Sequence, residues 1–334
     1  MSNNVKEAQV LKNYKMGPNA PVHPGARSKS GRYLSSEDGT VQVPALIALP
    51  SAFRHVLSDL ETYKWKTGDF MLNTYPKNGT YFVWEIMSML LKGSADYIET
   101  PKQLLVIDLF PVSKIEDTVP SPRVLQSHYR PDVLIPEFRK NKTVIVIRNP
   151  KDVCISLYHH ERTVMANIIE SYEPLRDLSL SDWVRMFLYD KDVPYGNYFD
   201  YTAYVWSLRE DPTVLVLFFE DFKINPVETI AKLNNFMETE RSMELVQQIA
   251  DATEFEKMKK GKIEHCKDLG VKMAAQTGQP EDETKQKAQL IINNLYRKGT
   301  IGDWKNQLTV ADNELFNSFL ESWEEGKDIP FLYE

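Results

Sequence analysis

The sequence predicts an α/β fold: a single domain with a central, mainly parallel sheet flanked by helices. Two observations carry this. Three short segments, residues 69–73, 143–148 and 213–219, are near-continuous apolar runs without period-two alternation, as in strands covered on both faces. Each is followed by a helical pattern, and strand then helix, repeated, builds a parallel sheet. The composition, 42% hydrophobic and 26% charged over 334 residues, is that of an ordinary globular chain.

The first strand, Asp-Phe-Met-Leu-Asn, leads into a segment whose Val83, Ile86, Met87, Leu90 and Leu91 share one helical face. After the second strand, Asn149 is placed to cap a helix, with Pro150 at its first position and Asp152 at its third. After the third, Pro226 precedes Ile230, Leu233 and Phe236 at three-residue spacing. Val124-Leu125 reads as the end of a further strand. Residues 261–287 are polar and read as a long excursion with the character of a lid, and residues 312–323 as an amphipathic C-terminal helix. No internal repeat and no linker divides the chain. Residues 1–44 are a polar extension, expected to be mobile, ahead of a folded domain at 45–334.

A net charge of −7 argues against broad binding to nucleic acid or membrane, and leaves room for a local basic pocket. No apolar run has the length of a signal peptide or a membrane span, so a cytoplasmic protein is expected. Cys154 and Cys266 read as reduced thiols, and no Cys/His spacing suits zinc, so no metal is expected.

Three clusters carry chemistry. The loop Thr74-Tyr-Pro-Lys-Asn-Gly-Thr80 joins the first strand to its helix in a P-loop-like arrangement. Gly79 permits close backbone approach, the helix start offers free N–H groups to an anion, Lys77 brings a full charge and Thr80 a hydroxyl. Lys precedes Gly here, so this is not a Walker A loop, and no Ser or Thr is placed to hold magnesium. Arg148 ends the second strand, where ligands bind in open α/β sheets, with Ser156 on the following helix. Arg297-Lys-Gly299 sets two cations before a glycine. Each cluster also has a plain structural reading: a βα turn with a surface Lys, an Arg closing a local salt bridge, and a solvated charge pair.

Together the clusters resemble the cytosolic sulfotransferase family. That family carries a Tyr-Pro-Lys-Ser-Gly-Thr loop, an Arg-Asn-x-Lys-Asp-Val junction followed by Ser, and an Arg-Lys-Gly-x-x-Gly-Asp-Trp-Lys segment. This chain reads Tyr75-Pro-Lys-Asn-Gly-Thr80, Arg148-Asn-Pro-Lys-Asp-Val153 with Ser156, and Arg297-Lys-Gly-Thr-Ile-Gly-Asp-Trp-Lys305, in the same order. The resemblance runs from about Trp65 to the C-terminus. It implies 3′-phosphoadenosine 5′-phosphosulfate (PAPS) as sulfuryl donor, with the bisphosphate PAP as product and no metal. The acceptor it implies is a hydroxyl (phenol, steroid or other alcohol) or amine of a small molecule.

The resemblance assigns Lys77, Gly79 and Thr80 to the 5′-phosphosulfate, with Lys77 on the bridging oxygen. It assigns Arg148, Ser156, Arg297, Lys298 and Gly299 to the 3′-phosphate, and Phe82, Thr253 and Phe255 to the neighbourhood of the adenine; Asn78 and Phe219 are counted as cofactor-binding positions beside these. Tyr81 stands where a second phosphate-contacting Thr is usual. His128, in Gln126-Ser-His128, matches the catalytic His of a Lys-Thr-His context; Lys77, His128 and Ser156 are thus the candidate catalytic residues. Lys305, Thr309-Val310 and Glu314 match the family's dimerisation motif, which implies a homodimer. The chain departs from the family pattern at Asn78 (Ser), Tyr81 (Thr), Phe82 (Trp), Phe219 (often Tyr) and Gln126 (Lys). His128 is expected near the usual pKa of about 6.5, neutral and fit to act as a base. Stretches 104–110 and 164–169 are candidate linings of an apolar acceptor pocket. Three alternatives stay open on these residues: a catalytically weak or inactive PAPS- or PAP-binding homologue acting through a partner, a small-molecule kinase, and a partner-binding protein using its first forty residues.

Overall fold

The computed structural model describes residues 65–98, 102–108, 115, 119–131, 141–166, 175–189, 195–262 and 296–334. The N-terminal extension, Cys266 and nearly all of the polar 261–287 stretch lie outside these residues.

The core is a four-stranded parallel sheet in the order β2-β1-β3-β4. Its strands are β1 (Phe70–Thr74), β2 (Val124–Ser127), β3 (Thr143–Ile147) and β4 (Val214–Phe218). Side chains alternate across the sheet. Val144 and Val146 of β3 therefore meet one core, built on α1 (Thr80–Lys92), with Trp84, Ile86 and Ile230. Ile145 and Ile147 meet the other core, with Val153, Trp183 and Phe187. The apolar runs of β1 and β3 are explained by this double covering. β4 differs from the expectation: most of it is only half-buried, whereas β2, at the opposite edge of the sheet, is buried throughout.

Helix positions follow the sequence signals. Val83, Ile86, Met87 and Leu90 of α1 are fully buried, and Leu91 is packed partly against the same core. The second helix, α2 (Pro150–His160), begins where the Asn149 side chain accepts from the Asp152 N–H at 2.8 Å. Two helices that the sequence did not announce, α3 (Leu180–Tyr189) and α4 (Tyr198–Ser207), cover the same face as α2. After β4 come a single turn, α5 (Asp221–Ile224), then α6 (Pro226–Met237) and α7 (Met243–Ala252), which close the other face. The C-terminal helix, α8, spans Val310–Ser322, two residues ahead of the expected start, because the Thr309 hydroxyl accepts from the Asp312 N–H at 3.1 Å. Its Phe316 is fully buried against α3 and α4.

Parallel order has one functional consequence. All four strands point their C-terminal ends the same way, so Thr74, His128, Arg148 and Phe219 emerge along one edge.

Candidate active site

Along that edge lies a cavity of about 160 Å³. The loop from β1 to α1 forms its floor. Lys77 holds a left-handed backbone at φ 72° and Gly79 another at φ 92°. A Cβ on Gly79 would stand 2.5 Å from the Phe219 ring, so only glycine lets the loop and β4 approach this closely. No side chain caps α1, which leaves its first amides for an anion. The Thr74 and Thr80 hydroxyls are 2.7 Å apart at the loop's two ends. Burial lowers the Lys77 pKa to about 8, with Glu161 opposing the shift.

Arg148 is 7% exposed. It donates to the Lys77 carbonyl at 3.2 Å and the Thr300 carbonyl at 3.1 Å, and its guanidinium lies 4.4 Å from the Phe219 ring centroid. The local salt bridge also forms, with Asp152 at 3.6 Å. Asp152 is thereby a junction: it accepts from the Gly302 N–H at 2.8 Å and the Trp304 N–H at 3.1 Å, which ties the C-terminal segment to the start of α2. That segment brings Arg297, Lys298 and Gly299 to the cavity wall. Arg297 and Lys298 both hold Asp303, at 2.8 and 2.6 Å, with Lys298 still exposed to solvent. Gly299, at φ 65°, has the Phe255 ring where a Cβ would sit.

His128 follows β2. Its Nδ1 lies 2.8 Å from the Thr74 carbonyl oxygen. A carbonyl only accepts, so Nδ1 carries the proton and Nε2 keeps the lone pair. The backbone N–H of His128 donates to Asp108 at 2.7 Å, and Asp108 also accepts from the Ser127 hydroxyl at 2.6 Å. The expected near-ordinary pKa of His128 is not what the site produces. Burial first, then the charge of Lys102, lower it to about 3 against the bond to Thr74.

Lys77, Gly79, Thr80, Tyr81, Phe82, His128, Arg148, Ser156, Phe219, Phe255, Arg297, Lys298 and Gly299 all line the one cavity. Asn78 and Thr253 do not. The Asn78 amide turns into the sheet and donates to the Val146 carbonyl at 2.9 Å, and the Thr253 hydroxyl donates to the Ile249 carbonyl at 2.7 Å. Of the proposed acceptor linings, Leu105, Val106 and Ile107 are buried, and Val106 bridges to Gln126 of β2. Val164 and Ala166 are buried in a turn of π-helix that continues α2 and in the residue after it. Positions 109–110 and 167–169 lie outside the described residues.

Sequence reasoning missed Lys102, Lys223, His160, Met258 and Tyr296, which share the lining. Lys223 had a usable signal: it follows Phe219 by four residues at a strand end. It lies 4.4 Å from the Phe82 ring centroid, 5.4 Å from that of Phe219 and 6.0 Å from that of Phe255. Lys102 had none, since it comes from a separate turn, residues Lys102–Leu105.

The sulfotransferase domain family model matches residues 67–328. Sulfotransferase 1C2 of Homo sapiens is 28% identical over 314 residues, covering 90% of this chain and 96% of that protein. Sulfotransferase 1E1 of Bos taurus is 30% identical over 298 residues, covering 85% and 93%. Among solved structures, mouse sulfotransferase SULT7A1 complexed with PAP superposes with a TM-score of 0.61 at 23% identity, over 83% of this chain and 90% of that one. Retinol dehydratase in complex with androsterone and inactive cofactor PAP gives 0.61 at 18% identity, over 98% and 96%. At these identities the two structures speak for the fold alone. The sequence matches span the loop of Lys77, the junction of Arg148 and the segment of Arg297, and by them the chain belongs to the sulfotransferase family.

Proposed function

We propose that His128 and Lys77 carry the chemistry by which this PAPS-dependent sulfotransferase moves a sulfuryl group onto a hydroxyl or amine of a small acceptor. The observation that carries this reading is the convergence in one cavity of Lys77, Arg148, Arg297 and Lys298 with a His128 whose tautomer leaves Nε2 as acceptor. The acceptor oxygen or nitrogen attacks sulfur in line. The bond from sulfur to the 5′-phosphate oxygen breaks, its electron pair stays on that phosphate as PAP forms, and the acceptor proton passes to Nε2 of His128. Lys77 meets the bridging oxygen as charge builds there. Arg148, Ser156, Arg297, Lys298 and Gly299 hold the 3′-phosphate, and Phe82, Phe219 and Phe255 offer ring faces to the adenine. The donor's negative charge opposes the depression of the His128 pKa and makes the ring a stronger base when the site is filled. The cations are side chains, so metal-free transfer is part of the proposal.

Transfer of labelled sulfuryl from PAPS to a panel of phenols, steroids and amines tests the reading. We expect turnover with at least one class. PAP binding with no transfer to any of them would turn the chain into a binding homologue.

A homodimer through Lys305, Thr309-Val310 and Glu314 is also proposed. Val310 is 76% exposed at the start of α8, an apolar side chain with little to cover it in one copy. Val310→Glu should convert a dimeric wild type to monomer by light scattering at micromolar concentration; a wild type already monomeric there ends the proposal. Among the described residues no helix is long and apolar enough to cross a membrane. Cytoplasmic placement and the absence of a nucleic-acid partner belong to the proposal.

A further inference from the structure

Two of the departures from the family pattern, Tyr81 and Gln126, are far apart in sequence and meet at one side chain. Lys102 is 5% exposed, and its Nζ donates to the Gln126 Oε1 at 2.8 Å while standing 4.5 Å from the Tyr81 ring centroid. Gln126 and His128 are two residues apart at the end of β2 and so project on the same side. Lys102 therefore enters the cavity on the His128 side, opposite the 3′-phosphate cations, and shares the lining with Lys77 and His128.

A buried ammonium ordinarily has a carboxylate against it. Among the described residues Lys102 makes no ion pair. Asp108, the carboxylate whose field it feels, spends one oxygen on the Ser127 hydroxyl and the other on the His128 N–H. Among the described residues the hydrogen-bond partner of the Lys102 Nζ is a neutral amide, that of Gln126. Burial leaves the Lys102 pKa at about 7, with Asp108 opposing the shift, so an anion in the cavity has both reason and room to draw this charge.

We infer that Lys102 binds the sulfuryl oxygens of the donor and stabilises them as sulfur passes from the 5′-phosphate oxygen to the acceptor. Gln126 positions its ammonium, and Tyr81 gives it a ring face in place of a carboxylate. The inference rests on PAPS occupying the cavity as proposed above.

PAPS and PAP differ by the sulfuryl group alone, so they separate this role from every other. Binding of each, without acceptor, is measured by calorimetry for wild type, Lys102→Met and Lys102→Gln; the Gln variant removes the charge and offers a neutral donor on a side chain one atom shorter. For both variants we expect the dissociation constant for PAPS to rise about tenfold or more while that for PAP stays within about twofold. Lys102→Arg should recover most of the loss. Equal weakening of both ligands would make Lys102 a structural residue and overturn the inference. No change in either would turn its charge toward the acceptor, with the same result. A wild type that binds neither ligand would remove the bisphosphate reading itself, and this inference with it.

Discussion

Replacing His128 with Ala should lower kcat by roughly 10²–10⁴-fold, the usual worth of a positioned base, while leaving PAP affinity within about twofold. The separation follows from geometry. His128 sits at the β2 end of the sheet edge, and Arg148, Arg297 and Lys298 sit beyond β1, around β3 and the C-terminal segment. A merely structural His would instead move both numbers. The same residue leaves a signature in stability. Its folded-state pKa is about 3 against an ordinary 6.5. Between those values the unfolded chain takes up a proton that the folded chain refuses. The contribution of this group is therefore whole above pH 6.5 and drains as pH falls toward 3. His128→Ala removes that contribution, so its melting temperature should fall less than that of wild type between pH 7 and about pH 5. Equal slopes would show that the imidazole is not held neutral by the fold.

Arg148→Ala should weaken PAP binding on the order of 10²-fold, the loss of one or two charge-assisted hydrogen bonds to a phosphate. It should also cost stability, because Asp152 is left buried without its cation. Breaking a buried pair costs roughly 3–5 kcal/mol, and the Gly302 and Trp304 amides on Asp152 place this pair at the lower end. Arg148→Lys keeps the charge and loses the fork, so it should restore part of the stability and little of the affinity. Calorimetry beside a thermal melt separates the two effects. Unchanged PAP affinity in a folded Ala variant would move the 3′-phosphate elsewhere.

Much of this was legible in the chain. The β1 and β3 runs, the Asn149-Pro150 helix start and the glycine-bearing loop are local signals. They act over a few residues, through propensity, capping and the steric demands of a left-handed turn. Three motifs in fixed order named the family, and eight of the thirteen candidate residues that line the cavity come from those motifs. Asn78 shows what the fold adds to a local reading: its side-chain amide donates to the Val146 carbonyl on a neighbouring strand, a partner that its place in the loop does not announce.

The sequence by itself determined the fold class and, through three motifs in order, the family, because each strand run and each motif rests on residues close together along the chain. Only the tertiary structure decided the protonation of His128 and the arrival of Lys102 between Tyr81 and Gln126. These depend on burial and on charges brought together across the sheet. Their magnitudes are set by desolvation and distance, which no spacing along the chain contains.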